Sequence, residues 1–82
     1  MTPNLVSIPL SHANTKQKFV VRKIRASGEI RRRLIDIGFI NGEVGTVVRE
    51  ALLRDPIELE IKGAHVSLRR SEAKLIDIEM IE

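Results

Sequence analysis

The 82-residue sequence contains no cysteine, so disulfide staples, thiolate metal sites and cysteine nucleophiles are excluded, and packing alone must stabilise the fold. Tryptophan and tyrosine are also absent, leaving Phe19 and Phe39 as the entire aromatic content. Two phenylalanines cannot line a groove for proline-rich peptides, and they supply little surface for stacking nucleobases. No apolar run approaches the roughly 18 residues that a membrane-spanning helix requires. The N-terminus also lacks a basic segment leading into an apolar stretch and a small-residue cleavage site. The expectation is a cytoplasmic protein that is not inserted in a membrane. There is no glycine-rich phosphate loop, no serine set beside a base and no carboxylate pair brought together by spacing, so catalysis is not expected. Fourteen basic residues against eleven acidic ones give a net charge of +3, a mixed surface in place of a polycation.

What is present is 43% hydrophobic residues, nearly all aliphatic, in a chain long enough for one core; residues 1–82 are read as one domain with its core at about 10–80. Residues 1–18 read as a loose lead-in, with Pro3 and Pro9 discouraging regular structure while Leu5, Ile8 and Leu10 offer anchors for the domain. A first strand spans 19–24, and the out-of-phase Ile24 calls for a bulge. Ser27 can cap a helix, Ile30, Leu34 and Ile37 mark its inner face, and Gly38 can close it. Glu29 with Arg33, and Arg32 with Asp36, stand one turn apart as potential pairs. Asn41-Gly42 signals a turn into a strand at 44–49, apolar on most of both faces. Pro56 opens a hairpin in which Ile57, Leu59 and Ile61 alternate with Glu58, Glu60 and Lys62, followed by Val66 and Leu68 against His65 and Ser67. Ser71 can cap one helical turn before a closing strand at 76–80. The expected class is mainly β: five short strands closing into a small barrel, which removes sheet edges, with one inserted α-helix.

The run from Arg31 to Gly42, RRRLIDIGFING, resembles the R-x-x-L-x-x-M-G-L-x-P-G signature of FeoA proteins. Downstream, Ala51-Leu52-Leu53-Arg54-Asp55-Pro56-Ile57 is similar to that family's A-P-L-G-D-P-I loop, and Val66-Ser67-Leu68-Arg69-Arg70-Ser71-Glu72-Ala73 to its closing L-R-x-x-E-A segment. The resemblance runs in register from about Leu10 to Ile78. It implies an SH3-like barrel that assists FeoB, the GTP-binding permease importing ferrous iron, at the cytosolic face of the membrane, placing this chain in the cytoplasm or peripherally at the inner face. Ile37 replaces the usual methionine, Asn41 and Leu52 replace prolines, and Arg54 replaces a glycine, adding a charge where left-handed backbone would otherwise be free.

The expected partner-binding residues are Arg31, Phe39, Leu52, Leu53, Arg54 and Asp55, at the helix and the 51–56 loop. Leu52 and Leu53 are adjacent, so one pointing into the core would leave the other exposed as an anchor; a plain core plug is the competing reading. Asp55 before Pro56 reads first as a turn residue whose carboxylate accepts local amides, and the run at 31–33 as a solvated helix face. No resident cofactor is expected. His12 and His65 are the minor candidates for ferrous iron or another divalent ion, without the spacing of a ligand pair. The alternatives are a nucleic-acid-binding barrel using Arg22, Lys23, Arg25, Arg49, Arg69 and Arg70, and a metal-binding or sensing module of the kind found in metal-dependent repressors.

Overall fold

The strict alternation at 57–61 sets the architecture, because it puts Ile57, Leu59 and Ile61 on one face of a strand and two carboxylates on the other. A computed structural model describes residues 7–81; Pro3 and Leu5 lie outside the described residues. The strands are β1 (Ile8–Pro9), β2 (Lys18–Ile24), β3 (Val44–Glu50), β4 (Ile57–Ile61), β5 (Ala64–Leu68) and β6 (Ile76–Ile81). Helix α1 (Gly28–Ile37) joins β2 to β3, and the single turn α2 (Arg70–Ala73) joins β5 to β6. Six strands are therefore found where five were expected. The additional one is part of the lead-in: Ile8 pairs with Ile78 and Pro9 with Asp77, an edge position where proline's missing N–H costs no ladder bond.

All pairings are antiparallel, in the order β1-β6-β2-β3-β4-β5. Among the described residues the end strands β1 and β5 do not pair with each other, so the coiled sheet encloses the core without the ladder closing as the sequence reading expected. The bulge expected in the first strand is present, the register slipping between Val21 and Lys23 so that Ile24 returns to the buried side. A second slip, between Val47 and Arg49, takes Val48 out of the ladder. Phe19, Val21, Val47, Leu59, Leu68 and Ile78 are among the buried residues of one continuous core.

Helix α1 is attached more lightly than its apolar stripe implied. Leu34 is its one buried residue, Ile37 is half-buried, and Ile30 is exposed. The Ser27 side chain makes no capping bond, contrary to expectation. The closing glycine is as expected: Gly38 adopts φ 131°, its N–H bonds the carbonyls of Leu34 and Ile35, and the Phe39 N–H follows to Leu34. Arg33 reaches across to Glu72 on α2, and that tertiary ion pair replaces the anticipated pairing with Glu29. Glu72 also accepts the Arg69 N–H at 3.2 Å, so α2 is capped by this carboxylate and not by Ser71.

Candidate partner-binding site

The 51–56 loop begins where β3 ends and must return the chain to β4 in a few residues. It closes on itself: the Ala51 N–H bonds the Pro56 carbonyl at 3.0 Å and the Arg54 N–H bonds the Ala51 carbonyl at 2.7 Å. At its tip the backbone enters the left-handed region twice, at Leu53 (φ 68°) and Arg54 (φ 66°). Both leucines consequently point outward, Leu52 being 89% and Leu53 91% exposed, so neither plugs the core. Two neighbouring leucines left almost fully in water on a closed loop form a compact apolar tip.

Arg70 holds this tip in place. Its Nε donates to the Arg54 carbonyl at 2.8 Å, Nη2 to Glu50 Oε2 at 2.7 Å, and Nη1 to the carbonyl of the buried Ser11. The Arg70 N–H donates to Asp55 Oδ1 at 2.9 Å. Asp55 is thus structural as expected, but its partner is an amide fifteen positions away on α2, not one within its own turn. One guanidinium joins the lead-in, the end of β3, the loop and α2, the geometry to which arginine's fixed fork of donors is suited. The sequence places Arg70 only among the surface cations; its position at the start of the single turn α2 carries no periodic signal of this role.

Arg54, standing where the resemblance has glycine, pairs with Glu50 at 3.6 Å while largely exposed. Left-handed backbone costs a non-glycine residue about 1–2 kcal/mol. Against this stand a weak exposed ion pair and the larger unfolded-state entropy of glycine. Arg54→Gly is therefore expected to raise stability by about 0.5 kcal/mol, seen as a melting temperature about 2–4 °C higher. A lower value would show that the Glu50 contact outweighs the backbone strain.

The other expected site residues fall elsewhere. Phe39 is fully buried, because the turn after Gly38 drives it into the core; as a partner-binding side chain it is corrected to a core residue. Arg31 is exposed on α1 and borders a cleft shared with β2, whereas Leu53, Arg54 and Asp55 border a hollow with Ser11, His12 and Arg70. The structure thus divides the candidate set into two surfaces with no lining residue in common. His12 is exposed beside the loop, and His65 is exposed on β5 opposite Glu60. Among the described residues no three histidine or acidic side chains gather in a way that could hold a metal ion. Of the six cations considered for nucleic acid, four are paired: Arg22 with Glu79 at 3.1 Å, Arg25 with Asp77 at 3.0 Å, Arg49 with Glu58 at 2.9 Å and Arg70 with Glu50 at 2.7 Å.

A coiled antiparallel sheet around one core, with a helix inserted between its second and third strands, defines this chain as a small SH3-like domain. Residues 8–80 match the FeoA domain, and the chain belongs to that family. A Porphyromonas gingivalis protein described as a fusion of Fe(2+) transport protein A with the Fe(2+) transporter FeoB is 39% identical over 72 residues. That match covers 88% of this chain and only 8% of the fusion protein. The solution structure of a FeoA-like protein from Clostridium acetobutylicum superposes with a TM-score of 0.87 at 34% identity, covering 100% of this chain and 92% of that one. The zinc complex of Stenotrophomonas maltophilia FeoA, described as a prokaryotic SH3 domain protein, gives a TM-score of 0.75 at 27% identity, covering 89% and 88%.

Proposed function

We propose that this protein is an accessory of ferrous iron uptake that docks on a FeoB-like permease at its cytosolic face, with the Leu52-Leu53 tip as the apolar anchor and Arg54 beside it. The observation that carries this reading is the Porphyromonas gingivalis protein, in which a domain similar to this chain is covalently joined to FeoB. Such a linkage holds two modules at high effective concentration, an arrangement that serves a contact between them. The exposed leucines supply apolar area that a partner can bury, and the closed loop presents them with little ordering left to lose. The accessory is read as acting by protein contact, without a resident metal.

Calorimetric titration of this protein into the soluble GTP-binding domain of a FeoB-like permease tests the proposal. The titration is run with and without nucleotide and repeated with anaerobic ferrous iron. Saturable heat is expected in at least one condition. If there is none, and the full-length permease fails to retain the protein on a column, the reading is wrong.

A further inference from the structure

The cleft between α1 and β2 is a second surface, with a chemistry unlike that of the loop tip. It encloses about 340 Å³, with Ile24, Ile35 and Ile40 in its wall and Arg22, Lys23 and Arg31 around it. Ile35 is 37% and Ile40 42% exposed, so the groove keeps apolar surface in contact with water. Arg31 Nη1 donates to the Ile24 carbonyl at 3.4 Å, which holds the guanidinium at the cleft edge and leaves its remaining donors available. Arg32 continues the positive rim into an adjoining hollow that also contains Ile35 and Asp36. Arg22, Arg25, Arg33, Arg49, Arg54 and Arg70 each face a carboxylate. Of the cations that make no ion pair among the described residues, Lys23, Arg31 and Arg32 line this cleft or the adjoining hollow, whereas Lys16, Lys18, Lys62, Arg69 and Lys74 line neither. Three cations without an ion pair therefore stand beside the exposed Ile35 and Ile40.

We infer that this cleft docks an acidic amphipathic segment of a partner protein, its apolar side chains resting on Ile35 and Ile40 and its carboxylates meeting Lys23, Arg31 and Arg32. Charge complementarity selects an anionic ligand, and the apolar wall selects one that is also hydrophobic. Concavity selects a chain segment, since a flat lipid surface would bridge the rim and leave the isoleucines unfilled. A nucleobase would find no exposed ring, because both phenylalanines are fully buried. The site goes beyond the permease reading, because it does not depend on which protein carries the segment.

The test is an amide-shift titration of the isotope-labelled protein with a short synthetic peptide carrying two leucines one helical turn apart among glutamates, and with its lysine counterpart. The glutamate peptide is expected to shift the amides of Lys23, Arg31, Ile35 and Ile40 saturably, leaving those at 52–55 in place. Arg31→Glu combined with Arg32→Glu should weaken binding about tenfold and flatten its salt dependence. Ile35→Ser should weaken it while the salt dependence remains. These side chains are exposed, so an unchanged melting temperature confirms that each variant is folded. The inference is overturned by an absence of shifts, by shifts confined to 52–55, by an equal response to the lysine peptide, or by variants that bind as the parent does. Tighter binding of phosphatidylglycerol vesicles or of an oligonucleotide through the same residues would overturn it too. Peptide binding retained in a protein whose Leu52 and Leu53 are replaced separates this site from the permease contact.

Discussion

Gly45→Val is expected to lower the melting temperature by about 12–24 °C, corresponding to roughly 3 kcal/mol at about 4–8 °C per kcal/mol for a domain of this size. Gly45 lies in β3 directly opposite Phe19 in β2, and the Phe19 ring covers the space a side chain would need. A Cβ built at Gly45 meets Phe19 Cζ at 2.5 Å and the Glu60 carbonyl oxygen at 2.9 Å. Neither neighbour yields easily. Phe19 is fully buried, and Glu60 belongs to the β3–β4 ladder, where moving its carbonyl would disturb that pairing. The glycine and one of the two largest core side chains thus act as one packing unit, so their mutations should not add. Phe19→Leu and Gly45→Ala each destabilise on their own, but the double variant should recover at least about 1 kcal/mol of their sum. Additive losses in denaturant unfolding would refute the coupling.

That unit shows where the sequence was informative and where it was not. The glycine at position 45 was legible as part of a strand apolar on both faces, but the side on which Phe19 lay depended on the β2–β3 register, which no local pattern records. The 57–61 strand was readable because one face is wet and the other dry, so burial follows the period of two. The helix bounds came from Ser27 and Gly38, which mark backbone geometry, yet Ile30 was misplaced because periodicity reports an apolar stripe without reporting what covers it. Ile8 and Pro9 were too few to show alternation, and they became a strand only because β6 offered an open edge.

For the candidate site the limits were of the same kind. Arg54 was read as taking away the left-handed freedom of the glycine that the resemblance has there, whereas the structure keeps that backbone conformation, with a φ of 66°. Arg70 could not have been singled out, since its partners Ser11, Glu50 and Arg54 are distant in sequence and meet only when the lead-in, β3 and α2 converge. The exposure of both leucines was likewise undecidable from adjacency, because two adjacent side chains diverge in regular extended or helical structure, and this loop is neither.

Leu52→Glu combined with Leu53→Glu is expected to weaken docking on the permease about a thousandfold while moving the melting temperature by no more than about 4 °C. Burying a leucine side chain at an interface is worth about 1.5–3 kcal/mol, so two contribute roughly 4 kcal/mol, which is close to a factor of a thousand in Kd. Each single replacement should cost about tenfold to a hundredfold by the same arithmetic. The stability term is small because both side chains already stand in water, and surface changes away from special features stay within about 0.5 kcal/mol. Glutamate inherits the left-handed backbone at Leu53 without adding to its strain, since both are L residues with an unbranched Cβ. The loop's closing bonds run through backbone atoms of Ala51, Arg54 and Pro56, and its anchors through Arg70, so the substitution leaves them intact. Calorimetric titration beside a thermal melt of the same sample measures both quantities. Binding lost together with a large fall in melting temperature would mean that the leucines support the fold. Binding retained at full strength with the fold intact would move the permease contact to another face of the domain.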